Sequence, residues 1–432
     1  MIRARAALPV PPWTLLALAL AALISRGICC LVTLAPDRDT AHYVHMAKTL
    51  RAGDWRGALS DVFPPLYPAV LAALGPLGGA GPRAWWASGQ LVATVLDVLA
   101  VLLMVIAVSP ALGPAAALVA GTWLAAGLLP AWQAGDAMSE PCFRALLSLW
   151  LLAWLRGGQR YSWSLPLIAA LLLLTRTEGG ILLLPAAWRL LRGGRSLAVF
   201  LAGLSPAALY LWLRASATGS FELLPLASFM RPLSVFAEAD LQAAVGHYLR
   251  EALNLARRGF DGLGYLAYPC CIAGGLLLVA RGKAARWQPR GLVELRWPLL
   301  AAGLALAVVP LYFGNRRFWT PWLPLLLPLA AVPVVVLATK VRITIGVTFV
   351  LLGGGVSGLT DCGTAGAAAQ PESRAIATRV ARGRAYCQRV VVLMVILRVP
   401  HRRESRSRQP SARSRPPGCP PLQALPPAGL VP

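Results

Sequence analysis

The chain has 432 residues, of which 57% are hydrophobic and only 13% are charged. Soluble domains carry about 25% charged residues, so this composition excludes an ordinary soluble globular protein. The formal net charge of +24 does not indicate a nucleic-acid partner, because much of it lies in short loops between apolar segments and in an arginine-rich C-terminal stretch. We expect no nucleic acid among its partners.

Apolar segments long enough to cross a bilayer recur along most of the chain, and they predict the fold class. A helix needs about 20 apolar residues to span the hydrocarbon layer, and no alternation typical of barrel strands appears. The sequence therefore predicts an all-α polytopic membrane protein with about eleven transmembrane helices. The predicted spans are residues 13–34, 85–108, 112–129, 138–155, 165–175, 181–191, 197–213, 262–280, 297–313, 320–338 and 343–359.

The distribution of charge predicts how these spans are oriented. If the N-terminus is cytoplasmic, nearly every inner loop is basic, as the positive-inside rule expects; these loops contain Arg156, Arg189, Arg281 and Lys340. The same assignment places a set of acidic residues on the far side: Asp37, Asp39, Asp54, Asp61, Asp136, Glu140, Glu222, Glu238 and Asp240. We predict a multi-pass protein of the cell (inner) membrane with an uncleaved first helix.

The domain organisation follows from where this apolar pattern stops. Residues 1–359 are predicted to form one transmembrane domain, and residues 35–83 form its first non-cytoplasmic loop. Within residues 40–52, apolar side chains at positions 43, 46, 47 and 50 share one helical face, which suits a helix lying in the membrane interface. Beyond residue 359 Arg, Pro and Ser come to dominate, and we expect 360–432 to be largely disordered. Truncation or a shifted reading frame in a GC-rich gene would produce such a tail.

Several short motifs on the far side of the predicted topology share a family resemblance. Asp39 and Tyr43 lie four residues apart in the first loop, and residues 64–68 have the sequence Pro-Pro-Leu-Tyr-Pro. Further motifs are Met-Ser-Glu-Pro at 138–141, Thr-Arg-Thr-Glu-Gly at 175–179 and Arg-Phe-Trp-Thr-Pro at 317–321. With Arg26 in the first span, this arrangement resembles the GT-C glycosyltransferases, most of all the protein mannosyltransferases and lipid A aminoarabinose transferases. The resemblance covers residues 13–359 in order and sidedness.

The resemblance implies a GT-C-like helical bundle and an inverting transferase. The enzyme would move a sugar from a polyprenyl-phosphate carrier to a lipid, glycan or protein acceptor on the non-cytoplasmic face. A carboxylate is needed because an acceptor hydroxyl is a poor nucleophile until a base takes its proton. The resemblance implies that Asp39 is this base, with Asp37 and Glu140 as further catalytic candidates. The family commonly has Asp-Glu at this position, whereas Thr40 follows Asp39 here, and capping of a helix by Asp39 is the alternative interpretation.

A donor phosphate calls for arginine, because the planar guanidinium can donate two hydrogen bonds to phosphate oxygens. Arg316 and Arg317 are basic residues on the acidic side of the predicted topology, and Arg176 interrupts two short apolar segments. We predict that all three bind the donor phosphate. The alternatives are an ion pair with nearby Glu178 for Arg176 and anchoring in the membrane interface for Arg317.

Other residues are candidates for contacts with the substrate or with each other. Tyr43 and Tyr67 offer rings that suit the face of a sugar, and Glu178 offers a hydrogen-bond acceptor. Arg26 and Asp97 lie inside predicted spans, where an unpaired charge is costly. We expect Arg26 to reach a cavity or the surface and Asp97 to pair with another helix.

The sequence indicates no cofactor. His42 and His45 accompany Asp39, but their spacing drifts round a helix and no further ligand follows, so a metal is not indicated and divalent-metal dependence stays open. The alternative function is a transporter or flippase for a polyprenyl-linked or amphipathic substrate, because broken helices such as the one expected near residues 176–180 also occur in transporters. An assembly protein without an active site is a third class.

Overall fold

A computed structural model describes most of the chain up to residue 341. The described residues are 10–33, 35–59, 63–79, 81–156, 163–194, 197–219, 241–279, 290–308 and 316–341. They all belong to one compact unit, Met1–Ile396. The predicted span 343–359 and the tail 360–432 lie outside the described residues, as does the whole of a second unit, Leu397–Pro432.

The described part of the chain is helical throughout and contains no strand, which confirms the all-α prediction. Its helices are α1 Pro12–Val32, α2 Arg38–Arg51, α3 Trp55–Leu59, α4 Leu66–Leu74, α5 Pro82–Leu112, α6 Pro114–Ala126, α7 Leu128–Gly135, α8 Glu140–Arg156, α9 Ser164–Thr175, α10 Leu183–Arg192, α11 Leu197–Gly203, α12 Ser205–Thr218, α13 Leu241–Leu263, α14 Ala267–Val279, α15 Arg290–Glu294, α16 Arg296–Val308 and α17 Leu323–Val341. Short 3-10 helices cover Thr177–Leu182, Arg316–Phe318 and Thr320–Trp322.

Several of the predicted spans are broken rather than continuous. Among the described residues, three helical segments are long and apolar enough to cross a membrane alone: α1, α5 and Thr320–Thr339. Three further pairs qualify only together, and they are bent by 46° (α6 and α7), 53° (α11 and α12) and 111° (α13 and α14). Prolines stand just after two of the breaks, at Pro130 and Pro206. Because proline lacks an amide hydrogen and clashes with the preceding turn, it is tolerated at a new helix start but not within a helix.

Helix α5 lies at the centre of the bundle. It begins at Pro82 and ends at Leu112, and the next residue, Gly113, has a φ of 91°, a conformation that favours glycine. Its faces pack against α8, α6 and α1, while α17 packs against α14 and α6. Large buried side chains such as Trp150 and Trp322 fill the resulting core. This bundle supports the ends of the helices that carry the polar residues.

The first loop folds onto the bundle through α2. Asp37 caps this helix by accepting a hydrogen bond from the Arg38 amide at 2.7 Å. The apolar face predicted at positions 43, 46 and 47 exists, but all three of these side chains are buried in the protein. The prediction that this face lies in the membrane interface is therefore wrong: the face packs against α4 and α5.

A tight turn between α7 and α8 sets the start of α8. Ala137 adopts a φ of 56°, the left-handed region that a residue with a Cβ enters at some cost. Gly89 on α5 allows this turn to approach closely, since a Cβ on Gly89 would lie 2.7 Å from the Cβ of Ala137. The turn places Glu140 as the first residue of α8, where a carboxylate interacts favourably with the helix dipole.

Candidate active site

Three carboxylates and two guanidinium groups meet at one site. Arg317, in the 3-10 segment before α17, places its Nη2 atom 2.8 Å from Oδ2 of Asp39 and 3.1 Å from Oε1 of Glu140. Its Nε atom also donates to the Glu140 oxygen, at 3.2 Å. The pKa of Arg317 is raised, first by the neighbouring Glu140 and then by Asp39, although burial acts in the opposite direction. Arg317 thus stays charged and joins the first loop to the start of α8.

Arg176 completes the cluster from the break between α9 and the following 3-10 helix. Its Nη1 atom lies 2.7 Å from Oε1 of Glu140, and its Nε atom lies 2.6 Å from Oε1 of Glu178. The alternative ion pair between Arg176 and Glu178 is therefore present in the structure. The same guanidinium also reaches Glu140, so the pair is part of the site and not a separate loop tip.

Glu140 is the centre of this arrangement. Its Oε1 atom accepts hydrogen bonds from both Arg176 and Arg317, whereas its Oε2 atom is buried and has no hydrogen-bond partner among the described residues. A buried carboxylate oxygen without a hydrogen-bond donor is costly, because it has lost its hydrogen bonds to water and formed none with the protein. The side chain of Glu140 is fully buried, while the side chains of Arg317 and Asp39 are 24% and 25% exposed. Glu140 thus offers one oxygen that can still accept a hydrogen bond.

Tyr43 and Tyr67 support the turn that carries Glu140. The Tyr43 hydroxyl lies 3.0 Å from Oγ of Ser139, and the Tyr67 hydroxyl donates to the carbonyl of Ala137 at 2.7 Å. Their rings pack edge to face at 5.3 Å, and both are buried. Burial raises the pKa of the Tyr43 phenol, and Glu140 raises it further. The predicted contact with a sugar face does not fit these buried rings, and we assign both tyrosines a supporting role.

The structure separates the remaining candidates. Asp37 is exposed and caps α2, so the capping role considered for Asp39 belongs to Asp37. Arg316 begins the 3-10 segment, but its side chain lies outside the described residues. The alternative in which Arg317 is anchored in the membrane interface does not fit the neighbouring tryptophans. Trp322 is buried, and the indole of Trp319 donates to the carbonyl of Leu255 at 2.9 Å.

The intramembrane charges pair with each other, as expected for Asp97. Asp97 on α5 contacts Arg26 on α1 at 2.8 Å and Arg144 on α8 at 2.6 Å. Arg26 therefore does not reach the surface. Arg144 was missed by the sequence reasoning, together with its neighbour Gln133. The sequence does show that Arg144 is a charge inside an apolar stretch, which needs a buried acid, but it does not show that this acid is Asp97.

No metal site is apparent in the part of the chain that the structure describes, where no group of three or more His, Cys, Asp and Glu side chains could hold an ion. The ring of His42 lies 5.2 Å from the ring of Phe63, and His45 is exposed. The acidic residues of the site are held by arginines instead.

Comparison with solved structures identifies the fold. ArnT from Cupriavidus metallidurans, in a structure bound to undecaprenyl phosphate, matches with a TM-score of 0.53 at 14% identity over 88% of this chain and 76% of that chain. This chain has a GT-C fold. The oligosaccharyltransferase AglB from Archaeoglobus fulgidus, solved with an inhibitory peptide and a dolichol-phosphate, matches with a TM-score of 0.50 at 14% identity. That match covers 91% of this chain but only 57% of AglB. Neither a family model nor a curated protein sequence matches the chain.

Proposed function

We propose that this chain is an integral membrane glycosyltransferase that moves a sugar from a polyprenyl-phosphate carrier to a lipid, glycan or protein acceptor. The observation that carries the proposal is the ion pair between Asp39 and Arg317 at 2.8 Å, which joins a carboxylate and a guanidinium at a partly exposed position. The proposal is also supported by the GT-C fold that the chain shares with ArnT and AglB, whose structures hold undecaprenyl phosphate and a dolichol-phosphate.

In the proposed reaction, the carboxylate of Asp39 takes the proton of the acceptor hydroxyl. The acceptor oxygen attacks the anomeric carbon from the side opposite the phosphate and forms the new glycosidic bond, so the configuration inverts. The bond from the anomeric carbon to the phosphate oxygen breaks, and its electron pair leaves with the phosphate. A general base of this kind contributes about 10²–10⁴ in rate.

The arginines serve the leaving phosphate in this scheme. Negative charge builds up on the phosphate as the bond breaks, and a fixed cation beside it lowers the barrier. Arg317 and Arg176 are the two guanidinium groups of the cluster, each held by Glu140. A phosphate bound to Arg317 would compete with Asp39 for the same guanidinium N–H groups. Binding of the sugar carrier would therefore release the Asp39 carboxylate for its role as base.

Glu140 is proposed to orient the acceptor as well as the arginines. Its buried Oε2 atom has no donor among the described residues, and it is the oxygen not occupied by Arg176 or Arg317. The five side chains of the cluster, which include Asp39 and Glu178, also carry one more negative than positive charge. Both features favour an acceptor group that donates hydrogen, such as a hydroxyl or an amine.

The proposed location is the cell (inner) membrane, with the N-terminus in the cytoplasm and the site on the opposite face. This assignment rests on the basic inner loops of the sequence. It explains why the transferase is a membrane protein, since a polyprenyl tail can lie in the bilayer while its phosphate reaches Arg317 at the end of the bundle.

The proposal is tested with purified protein in lipid nanodiscs and a panel of short-chain polyprenyl-phosphate sugars. Release of polyprenyl phosphate and growth of the acceptor are followed by mass spectrometry. We expect Asp39→Asn to lower the transfer rate at least about 100-fold. Asp54→Asn is the matched control, because Asp54 is an exposed aspartate of the same loop whose side chain accepts a local hydrogen bond from the Gly57 amide. Full activity of a folded Asp39→Asn variant would exclude Asp39 as the base.

The transporter remains the second candidate, and the 3-10 break at Thr177–Leu182 is the observation that favours it. The two functions differ in their products. A transporter accumulates its substrate in sealed vesicles without any new covalent bond, whereas the transferase releases polyprenyl phosphate in open nanodiscs. Vesicle uptake that survives Asp39→Asn, with no sugar transferred, would favour transport.

A further inference from the structure

A buried ion triad lies behind the candidate active site. Asp97 accepts hydrogen bonds from Nε of Arg26 at 2.9 Å and from Nε of Arg144 at 2.6 Å, and all three side chains are fully buried. Each charge placed at the centre of a membrane costs about 2.5–3.5 kcal/mol on insertion scales. The triad also carries one positive charge in excess. Apolar side chains at these positions would avoid this cost, so we expect the charged groups to have a role beyond packing.

A chain of hydrogen bonds leads from the triad to the backbone of Arg317. Arg144 donates from Nη1 to Oε1 of Gln133 at 2.6 Å, and Gln133 donates from Nε2 to the hydroxyl of Thr320 at 2.7 Å. The Thr320 hydroxyl donates in turn to the carbonyl of Arg317 at 2.8 Å. Gln133 and Thr320 are buried, so water does not compete for these bonds.

The triad also holds the end of α6, just before the break that leads into α7 and Gln133. Arg26 donates from Nη2 to the carbonyl of Leu124 at 2.7 Å and from Nη1 to the carbonyl of Ala125. These carbonyls lie in the last turn of α6, where helix carbonyls have no partner within the helix. Because α6 stops there, α7 can bend away by 46° and present Gln133 to Thr320.

We propose that Asp97, Arg144, Gln133 and Thr320 are positioning residues for Arg317. The triad anchors Gln133, Gln133 holds the Thr320 hydroxyl, and this hydroxyl holds the carbonyl of Arg317. The guanidinium of Arg317 thereby lies between Asp39 and Glu140. The inference rests on the proposed function, because Arg317 is the residue proposed to bind the donor phosphate. None of the positioning residues needs to touch the substrate.

The first test removes the Thr320 hydroxyl. Thr320→Val keeps the shape of the side chain, and Thr320→Ser keeps the hydroxyl. Thr122→Val is the matched control, because the Thr122 hydroxyl donates within its own helix, to the carbonyl of Leu118 at 2.9 Å. We expect Thr320→Val to weaken binding of a short-chain polyprenyl phosphate about tenfold, the size of one buried hydrogen bond. Thr320→Ser and Thr122→Val should bind like the parent.

Combination with Arg317→Ala separates positioning from a general structural effect. If Thr320 acts through Arg317, Thr320→Val should weaken binding no further in the Arg317→Ala background. An equal loss in both backgrounds would overturn the proposal. Gln133→Glu is a second variant that keeps an acceptor for Arg144 but removes the donor to Thr320. It should reproduce the effect of Thr320→Val, and parental binding would contradict the chain.

Amide hydrogen exchange of residues 316–323 gives a readout that does not depend on activity. We expect faster exchange of this segment in Thr320→Val and Gln133→Glu, and parental exchange in Thr122→Val. If the parent protein itself does not bind polyprenyl phosphate, the proposed function fails, and the exchange data alone decide the positioning role. Exchange identical to the parent in both Thr320→Val and Gln133→Glu would overturn it.

Discussion

Nη2 of Arg317 lies 2.8 Å from Oδ2 of Asp39, although the two residues stand near opposite ends of the described chain. In the proposed reaction this contact combines a carboxylate base with a cation for the phosphate. It would also give each group an effect on the other, because the phosphate of the sugar carrier would bind the same guanidinium as Asp39.

The first prediction concerns Arg317. Arg317→Ala should lower the kcat/KM of transfer by about 10²–10³, the usual loss when one donor to a developing negative charge is removed. Arg317→Lys should recover part of it, because an ammonium keeps the charge but lacks the planar fork that bridges two carboxylates. Arg51→Ala is the control, since Arg51 is exposed and donates to the carbonyl of Ala72, away from the cluster. Steady-state kinetics with a synthetic donor measure all three, and equal kinetics for Arg317→Ala and the parent would contradict the prediction.

The second prediction concerns the shared acceptor of the two arginines. Glu140→Gln removes the fully buried carboxylate that Arg176 and Arg317 share. This should destabilise the protein by about 3 kcal/mol, the low end for a broken buried pair, because both arginines are partly exposed and keep Glu178 and Asp39 as partners. Glu178→Gln should cost less than about 1 kcal/mol, because Glu178 is 20% exposed. Thermal unfolding in detergent measures both. A larger loss for Glu178→Gln than for Glu140→Gln would show that Glu140 is not the centre of the cluster.

The third prediction concerns the strained turn before α8. Ala137→Gly should be neutral or stabilising by up to about 1 kcal/mol, because glycine adopts a φ of 56° without a Cβ penalty. Gly89→Ala should destabilise, because the new Cβ would lie 2.7 Å from Ala137. The melting temperature of Ala137→Gly should therefore stay the same or rise, and that of Gly89→Ala should fall. A stabilised Gly89→Ala variant would show that the turn does not pack against α5 in this way.

The fourth prediction concerns the intramembrane triad. Asp97→Asn leaves two buried arginines without a charged partner, and such a loss costs about 3–5 kcal/mol. The double variant Asp97→Asn with Arg144→Met removes one of the stranded charges and should be more stable than Asp97→Asn alone. Size-exclusion chromatography of the detergent-solubilised proteins after heating reports the difference. A double variant less stable than the single one would mean that Arg144 does not depend on Asp97.

Much of the site could be predicted from the sequence because charge is rare in this chain. Asp39, Glu140, Arg176 and Arg317 each interrupt or border an apolar segment, and the positive-inside rule places them on one side. Asp97 could be expected to pair with another helix for the same reason. The sequence could not identify Arg144 as the partner of Asp97. A uniformly apolar segment does not show which face of its helix packs against which neighbouring helix.

Other features depended on tertiary packing. The sequence offers Tyr43 and Tyr67 as rings for the face of a sugar, yet both are buried beneath the site. The breaks within the predicted spans were also missed, since a window of apolar residues does not record a bend of 46° or 53°. Burial of a face depends on which helix lies opposite, and that is a property of the whole bundle.

The sequence by itself determined that this chain is a helical membrane protein, and it predicted that a set of acidic residues lies on one side of the membrane. It did so because a bilayer leaves few structures open to an apolar backbone and makes each charge expensive. Only the tertiary structure decided that Glu140 holds both arginines, that Asp39 meets Arg317 and that Gln133 reaches Thr320. Such contacts join distant segments, and their distances follow from helix packing and from the turn at Ala137 rather than from any local pattern.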